Sequence, residues 1–505
     1  MTRYILRRLA ISFGVLFVGS FLLYIMVINS GDPLEDLRQS TANNRDVLID
    51  GRIETMGLDL PWYERYWGWL TGVAGCFYGA CDLGTDRSGT DVLSMLQQSA
   101  SATLRLVTIA TFAAIIIGII VGILTAIRQY SGFDYVVTFL TFLFFSLPVF
   151  WAAVLLKEYG AIRYNDWIAD PQISVIQAVI AGVVLGFILQ GIMGGHIKRR
   201  LFTGGATAVF VIVALLYFTY VGWWRSPALG PVIVILVSAA FAVGLTALIT
   251  GLGNKRVLYS TLTTVGVGAI LYFALQPILA EPNWWLLLGL LVSAVVVGLI
   301  VGYFWGGYSR GQAMAMSAVT AVFMAAMTFT DHLVYAWGGF LELKPRPIST
   351  IGASTPNFQG DFWETTLDWG TQLLLPSILL TLISVATYSR YTRSSMLETM
   401  NQDYVRTARS KGLSERTVIT KHAFRNALIP ITTIIALDFA ALIGGAVITE
   451  TVFGWKGMGA MFKEGLEHVD PNPVMAFFLV TGTAAVIMNL VADLAYASLD
   501  PRIRR

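Results

Sequence analysis

Few residues in this sequence have the types and spacing that bond chemistry requires. The 505-residue chain contains two cysteines and four histidines, and no His-Glu-x-x-His or Cys-x-x-Cys motif groups them as metal ligands. It also lacks the Gly-x-x-x-x-Gly-Lys-Ser/Thr loop that holds nucleotide phosphates. We therefore expect a protein that is not an enzyme, that needs no metal or cofactor, and that leaves ATP hydrolysis to a separate partner.

Charged residues are concentrated in one stretch, residues 390–430. Eight Lys or Arg stand there against three acids, a net charge of +5 between two long apolar runs, which is typical of a cytoplasmic loop in a membrane protein. Gly412 can take positive φ where a helix ends, and Ser414 with Glu415 is suited to begin the next helix. Apolar residues also recur every four positions, at Met396, Met400, Tyr404 and Ala408. We predict a helix, a sharp turn and a second helix.

The elements that position this loop must be membrane-spanning helices. The chain is 56% hydrophobic and only 13% charged, and its mean hydropathy is +0.67. Ordinary soluble domains are about 25% charged. The composition excludes a soluble domain and predicts an all-α polytopic membrane protein in contact with the lipid bilayer.

The N-terminal segment indicates the orientation. An apolar run over residues 9–28 follows Arg3, Arg7 and Arg8, and it is long enough to cross a hydrocarbon core of about 30 Å. The arginines place the N-terminus inside, and the length of the run favours a retained signal anchor over a cleaved signal peptide. Residues 29–98 contain eleven acids and five basic residues, a net charge of −6. We interpret them as an external loop.

Two cysteines, Cys76 and Cys81, lie within this external loop. Thiols on the outer side of a membrane meet an oxidising environment, where disulfides form and persist. We favour a local disulfide that holds the outer loop in place. A pair of free thiols is the alternative.

Further apolar runs complete the membrane topology. Spans are predicted at residues 103–127 and 135–156, the second kinked by Pro148; six spans follow between residues 157 and 337, and three more flank the basic loop. The sum is about twelve transmembrane helices with both termini cytoplasmic in the plasma (inner) membrane. The predicted segments are 1–28 (tail and first span), 29–98 (external loop), 99–156 (core spans 2 and 3), 157–337 (inserted three-hairpin module), 338–369 (external loop) and 370–505 (core spans 4 to 6).

The basic loop resembles the cytoplasmic loop of ABC-importer permeases, in particular the B-type subunits of the dipeptide, oligopeptide and nickel branch. That family pattern is Glu-Ala-Ala, three residues, Gly, nine residues, then Ile-x-Leu-Pro. Gly412 matches the glycine and Ala408 the second alanine, whereas Phe424 and Arg425 replace the Leu-Pro pair. The resemblance implies a loop that docks on a cytoplasmic ATPase. The residues that we assign to it are Tyr404, Arg406, Thr407, Ala408, Lys411, Gly412, Leu413, Ser414, Arg425 and Pro430.

A second resemblance lies after the next span, in GGAVITETVFGWKGMG. It is similar to the Gly-Gly-x-x-x-x-Glu-x-x-Phe-x-x-x-Gly-x-Gly turn of the same branch, and Lys456 stands where proline is usual. The matching residues form a predicted external turn, made of Gly444, Gly445, Glu450, Phe453, Gly457 and Gly459. Family-like sequence covers about residues 1–156 and 370–505.

The resemblance implies the transmembrane subunit of an ATP-driven importer for dipeptides, oligopeptides or similar solutes. Its expected partners are a second homologous permease, two ABC ATPase subunits and an external solute-binding protein, and no nucleic acid. Alternatives are a nickel permease of the same branch and a twelve-span carrier driven by an ion gradient. Such a carrier needs carboxylates inside the membrane. Asp438 is one candidate for the solute pathway, whereas Asp493 lies in family-like sequence and we interpret it as structural.

The six spans between residues 157 and 337 resemble nothing that we recognise. They contain an internal repeat in which Gly186, Gly244 and Gly298 correspond, 58 and 54 residues apart (244−186 and 298−244). The turns of the three hairpins are basic, and charged residues between 173 and 328 are confined to turns and helix ends. A path for hydrophilic peptides needs polar groups. We therefore expect a peripheral module outside the solute path.

Overall fold

The computed structural model describes residues 2–193 and 195–499, and within them it contains helices and no β-strand. The helices of the first third are α1 (Thr2–Ile28), α2 (Glu35–Arg38), α3 (Arg45–Met56), α4 (Trp62–Gly75), α5 (Val92–Ile127), α6 (Gly132–Ser146), α7 (Val149–Lys157) and α8 (Arg163–Ala169). Those of the middle are α9 (Val175–Met193), α10 (Ile197–Tyr220), α11 (Gly230–Ile249), α12 (Lys255–Ala274), α13 (Gln276–Leu279), α14 (Trp284–Gly306) and α15 (Arg310–Leu343). The last are α16 (Phe362–Met400), α17 (Asp403–Ser410), α18 (Glu415–Thr417), α19 (Phe424–Gly445), α20 (Val447–Val452), α21 (Met458–Glu467) and α22 (Pro471–Leu499).

Helices long and apolar enough to cross a membrane number ten in the described residues, or eleven if one bent pair counts as a span. One of the ten, Trp284–Leu343, contains both α14 and α15, which are separated by a short turn at Gly307–Ser309. Counting those two helices separately gives twelve (11 + 1). The prediction of an all-α, multi-pass membrane protein is confirmed. The orientation of its termini stays a prediction, and the family-like end at residues 500–505 lies outside the described residues.

The bent pair is the predicted third span. α6 and the helical segment that follows it meet at 103°, far more than the kink expected at Pro148. Leu147, directly before the proline, has extended backbone angles (φ −72°, ψ 128°). A residue that precedes proline is disfavoured in the α region, so α6 ends there and a new helix begins. The span is broken rather than kinked.

The chain divides into two compact units. The first comprises the described residues of Met1–Ala161, Thr350–Ala353 and Gln372–Arg505, and the second comprises those of Ile162–Ser349 and Ser354–Thr371. The domain limits predicted from the sequence stay a prediction.

In the first unit, the core lies where α5, α16, α19, α21 and α22 pack together. One cluster of buried side chains includes Leu106 of α5, Leu380 of α16 and Trp455, which follows α20. The hydroxyl of Thr381 donates to the carbonyl of Ala110 at 3.2 Å, a polar bond between α16 and α5. Leu442 of α19 packs against the same cluster, so the helices on either side of the basic loop share one core.

In the second unit, α9 with α10, α11 with α12 and α14 with α15 form three hairpins. The first helix of each hairpin buries residues four apart that are mostly small or carry a hydroxyl, which allows close helix packing. These residues are Ala178, Gly182 and Gly186 in α9, Val234, Ser238, Ala242 and Thr246 in α11, and Gly298, Gly302 and Gly306 in α14. Gly186 and Gly298 occupy equivalent places, as the repeat predicts. Gly244 does not, since Ala242 and Thr246 are the buried residues of its helix.

Two hydrogen bonds, which we call the clamp, join α8 near the start of the second unit to the segment that follows α15. The side-chain amide of Asn165 in α8 donates to the carbonyl of Ile348 at 2.8 Å and accepts from the backbone N–H of Ile348 at 3.0 Å. Arg346 and Asp166 form an ion pair at 3.1 Å beside it. Asn165 is buried, so the clamp is shielded from competing water.

The predicted external loop in the first unit contains helix α4, and a disulfide joins Cys76 to Cys81 just after it. Tyr66 of α4 shares a 2.9 Å hydrogen bond with Ser20 of α1, which fixes α4 against the first span. Phe77 and Tyr78, enclosed by the disulfide, are 86% and 76% exposed. The closed ring presents two aromatic side chains to the surroundings.

We expect alkylation of the unreduced, denatured chain to modify neither Cys76 nor Cys81. The ring is short, so closing it should stabilise the fold by only about 2 kcal/mol. Intact-mass measurement gives the answer, and the same sample treated with reductant should gain two alkyl groups. Two alkyl groups before reduction would contradict the disulfide.

Candidate functional site

The basic loop ends its first helix in a specific turn. Gly412 adopts φ +74°, in the left-handed region. Its N–H donates to the carbonyl of Arg409 at 2.9 Å, and the N–H of Leu413 donates to the carbonyl of Ala408 at 3.4 Å. This pair of bonds is the Schellman motif, in which glycine is favoured because a Cβ is disfavoured at that φ. The predicted turn therefore lies at Gly412.

The helix before this turn differs from the prediction. α16 ends at Met400 and α17 begins at Asp403, so the expected stripe through Met396, Met400, Tyr404 and Ala408 does not belong to one helix. Tyr404 is 42% exposed, while Val405 and Ala408 are buried against Val418. The predicted stripe is wrong, because the chain turns at residues 401 and 402, where neither glycine nor proline signals a break.

An ion pair connects the halves of the loop, and a side-chain cap begins the second half. The guanidinium of Arg409 donates to both carboxylate oxygens of Glu415, at 3.1 and 2.7 Å. These bonds hold the pKa of Glu415 below its usual value and raise that of Arg409. Ser414 accepts from the N–H of Thr417 at 3.4 Å, as expected for an N-cap. The pair is exposed, so we assign it to orientation of the turn rather than to much stability.

Most of the assigned loop residues face outward. Ala408 is buried, and the remaining nine are exposed on this chain: Tyr404, Arg406, Thr407, Lys411, Gly412, Leu413, Ser414, Arg425 and Pro430. They present basic and aliphatic groups around a turn that buried Val405 and Val418 support from behind. The loop is a formed surface that a partner can contact.

A positioning residue that the sequence did not indicate is Asp134. Arg393, near the end of α16, donates to both its oxygens at 3.0 and 2.9 Å. The Asp134 carboxylate also accepts from the backbone N–H of Tyr130 at 3.0 Å, and its side chain is only 4% exposed. A buried, bidentate arginine pair is strong and directional. It fixes the end of α16, from which the loop departs, to the short 128–134 connection.

The family-like external turn is organised around Glu450, whose side chain is fully buried. One carboxylate oxygen accepts from the hydroxyl of Thr103 in α5 at 2.6 Å. The other accepts from the backbone N–H groups of Gly459 and Ala460 at 2.7 and 3.1 Å. These N–H groups lie in the first turn of α21, where a carboxylate is favourable. Burial nevertheless raises the pKa of Glu450.

The glycines of this turn let the backbone close over the carboxylate. A Cβ on Gly459 would stand 2.6 Å from the Cα of Val447, a distance that real side chains do not show. Phe453 is buried, whereas Lys456, which takes the place of the usual proline, is exposed. The turn therefore closes without proline. Gly444 and Gly445 form the end of α19.

Asp470, which the sequence analysis did not single out, joins this corner to the external loop. Its carboxylate accepts from the backbone N–H of Arg87 at 2.6 Å, and the amide of Asn472 donates to the carbonyl of Thr85 at 2.7 Å. Asp470 is 3% exposed. Burial is the main reason that its pKa is raised to about 6, while the Arg87 N–H opposes the shift.

We expect acidification to stabilise the wild-type protein relative to Asp470→Asn. The raised carboxyl pKa means that the folded state holds this proton more tightly than the unfolded chain, so its contribution is complete below the unfolded pKa near 4 and is lost as pH rises through about 6. Between pH 7 and pH 5 the difference should change by about 1 kcal/mol. Thermal unfolding of both proteins at the two pH values measures this difference. If the stability of both proteins changes equally between pH 7 and pH 5, the assignment is contradicted.

Asp438 lies on α19, in the middle of a span. Its carboxylate accepts from the hydroxyls of Tyr388 and Ser384 at 2.6 and 2.8 Å. Both donors are buried residues of α16, while Asp438 itself is half-buried. α19 also connects the basic loop directly to the external turn. The structure therefore places the three predicted features along one helix and its two ends.

Comparison with known proteins finds similarity over the part of the chain that contains the basic loop, Asp438 and the Glu450 turn. A family profile described as binding-protein-dependent transport system inner membrane component matches residues 257–505, a range that begins inside the segment predicted as an insert. A dipeptide transport system permease protein of Haemophilus influenzae is 32% identical over 251 residues, 46% of this chain and 72% of the relative. An oligopeptide transport system permease protein of Mycobacterium tuberculosis is 35% identical over 222 residues, 42% of this chain and 67% of the relative. One of Bacillus subtilis is 44% identical over 186 residues, 35% and 58%.

Proposed function

Because this chain belongs to the family of binding-protein-dependent transport system inner membrane components, we propose that it is the permease subunit of an ABC importer for peptides. The observation that carries this proposal is the formed basic loop, with its Gly412 turn and outward residues, between two spans. The relatives named above are permeases for oligopeptides and dipeptides. The chain performs transport and no bond chemistry of its own.

The loop is the proposed contact with the ATPase. Its outward residues surround a turn whose geometry is fixed by the Arg409 and Glu415 pair and by a small buried cluster. A rigid surface transmits a push better than a flexible one. We propose that the importer contains two ATPase subunits and a second, homologous permease. One ATPase subunit binds this loop, and the other binds the corresponding loop of the second permease. An external solute-binding protein would deliver the peptide.

Helix α19 is the proposed mechanical link. It begins directly after the loop and ends at the Glu450 turn. Closure of the ATPase dimer would move the loop as a body, and α19 would carry that displacement to the external turn in an alternating-access cycle. Both ends of the link are stiff, since Asp134 holds the helix before the loop and Thr103 holds the external turn.

Asp438 is the proposed polar contact of the pathway. It lies on this link and is half-buried, and one of its carboxylate oxygens accepts both hydrogen bonds from α16. A peptide carries an ammonium group at its N-terminus, which a carboxylate in a dry environment attracts strongly. Neither nickel transport nor coupling to an ion gradient has an observation in its favour beyond this one carboxylate.

Co-purification in a mild detergent tests the proposal. We expect mass spectrometry to find subunits with a nucleotide-binding sequence and a second permease bound to the full-length chain. Reconstituted into vesicles, the complex should take up peptide when ATP is supplied together with a binding protein. Uptake by the isolated chain that depends on an ion gradient instead of ATP would refute it.

We also propose that the helices of the segment 157–337 stay outside the solute path. Their buried faces are mainly small side chains and hydroxyls, and the hydroxyls bond within the second unit, as Thr246 does with Thr261 and Ser260 with Ser317. Single cysteines at Val183 and Val237, both exposed residues in the middle of spans, should resist a water-soluble thiol reagent on a Cys76→Ser, Cys81→Ser background. If either cysteine is labelled and added peptide prevents the labelling, these helices lie in the pathway.

A further inference from the structure

Two turns of the second unit meet at one point. The turn between α11 and α12 contacts the turn between α14 and α15, because the amide of Asn254 donates to the hydroxyl of Ser309 at 3.2 Å. The first residues of the two helices that follow are Lys255 and Arg256 in α12 and Arg310 in α15. Three cations from two hairpins are thereby brought to the same end of the unit.

Aromatic rings hold two of these cations in place. The guanidinium of Arg256 lies 4.9 Å from the ring centroid of Tyr308, and that of Arg310 lies 4.3 Å from the centroid of Tyr303. Gly307, at φ +48°, leaves open the space where a Cβ would otherwise meet the Arg256 guanidinium. We call Asn254, Lys255, Arg256, Tyr303, Gly307, Tyr308 and Arg310 the turn cluster.

The charge of the turn cluster is not balanced within the chain. In the described part of the protein, no ion pair includes Lys255, Arg256 or Arg310. The sequence has no Asp or Glu between Asp170 and Glu281. The cations also lie in the first turns of α12 and α15, where the helix dipole and free N–H groups favour anions and disfavour cations. An anion beside these cations would therefore be favoured.

The position of the turn cluster at the end of a membrane-spanning hairpin indicates which anion lies near it. α14 and α15 form one membrane-spanning hairpin, and the turn cluster is at the end where they connect. Phe304 and Tyr308 are 79% and 82% exposed beside it, as expected of aromatic side chains at the level of lipid headgroups. Basic pockets between membrane helices bind anionic headgroups. We propose that the turn cluster binds the phosphate headgroup of an anionic phospholipid.

A second basic turn in the same unit provides an internal comparison. Lys198, Arg199 and Arg200 begin α10, so they share the charge and the helix position of the turn cluster. Within the described residues, none of the three lies over an aromatic ring or bonds to a neighbouring turn. The preference of basic loops for the inner side of a membrane accounts for both turns. It does not account for the convergence of Arg256 and Arg310.

Native mass spectrometry of the full-length protein in detergent, titrated with phosphatidylglycerol or with zwitterionic phosphatidylcholine, tests the proposal. We expect wild type to prefer phosphatidylglycerol, and Arg256→Gln with Arg310→Gln to weaken that binding about tenfold or more. The charge-matched control, Lys198→Gln with Arg199→Gln, should keep the wild-type preference. Gly307→Ala retains every charge and should weaken binding by displacing Arg256, which gives a second route if the double variant does not fold.

Three outcomes would overturn the proposal. Equal loss in the two double variants would show general charge attraction without a site. Equal binding of both lipids by wild type would show no headgroup selection. Competition by millimolar inorganic phosphate, with no requirement for the lipid tail, would indicate a site for a free anion in place of a lipid.

Discussion

Replacing Gly412 by valine is expected to uncouple ATP hydrolysis from transport. The residue adopts φ +74° and closes the turn between α17 and α18. A β-branched side chain at that φ costs on the order of 1–2 kcal/mol or more, and the chain can avoid this cost by leaving the turn. The loop surface would then be displaced relative to the ATPase. We expect peptide uptake to fall about tenfold or more, because a penalty of about 1.4 kcal/mol lowers the population of the native turn tenfold.

The matched control for this variant is Gly412→Asn. Apart from the glycine itself and its chain neighbours, no heavy atom lies within 4 Å of the position that a Cβ would occupy, so the difference between the two variants is conformational and not steric. Asparagine tolerates the left-handed region far better than valine does. Uptake and ATPase rates in reconstituted vesicles should therefore be close to wild type for Asn and uncoupled for Val. Wild-type uptake by Gly412→Val would remove the proposed role of the turn.

Replacing Glu450 by alanine is expected to be the most destabilising change in the external turn. Its carboxylate accepts three hydrogen bonds, from Thr103, Gly459 and Ala460, in a fully buried site. Without it, these donors lose their partner and a cavity remains. Each buried unsatisfied group costs about 1–3 kcal/mol, so a total of several kcal/mol is expected. Thermal unfolding in detergent and peptide uptake should both show the loss.

Two further variants serve as controls. One removes the charge of Glu450 but keeps its shape, and the other removes an exposed carboxylate from the neighbouring helix α21. Glu450→Gln keeps one oxygen acceptor and nearly the same volume, so it should retain most of the stability. Glu464→Ala removes an exposed carboxylate from α21 and should be within about 0.5 kcal/mol of wild type. If Glu450→Ala unfolds at the same temperature as Glu464→Ala, the turn does not depend on this carboxylate.

Local patterns were sufficient for the features that depend on neighbouring residues. Apolar runs predict the spans, a basic run predicts the loop, and glycine followed by Ser414 predicts its turn. The long-range partners were not predictable in this way. Arg393 and Asp134 are 259 residues apart, and Thr103 and Glu450 are 347 apart. Only the tertiary packing of α5, α6, α16 and α20 decides that these side chains meet.

The same limit explains the two errors in helix limits. Leu147 begins a break of 103°, because the restriction that proline imposes on its predecessor combines with tertiary contacts that sequence does not reveal. The division between α16 and α17 has no local signal at all, and it is stabilised by burial of Val405 and Ala408 against Val418. Both errors concern direction of the chain, which periodicity does not encode.

The clamp between Asn165 and Ile348 has a consequence for shortening the chain. Asn165 lies near the start of the second unit and Ile348 near the end of its first stretch, and the two residues are joined by hydrogen bonds of 2.8 and 3.0 Å. Because this separation is short, a linker of a few residues could replace the residues between them without stretching the chain on either side, as is seen for domains inserted at surface loops. We therefore expect the clamp to be the point at which a shorter chain, without most of the second unit, could be joined.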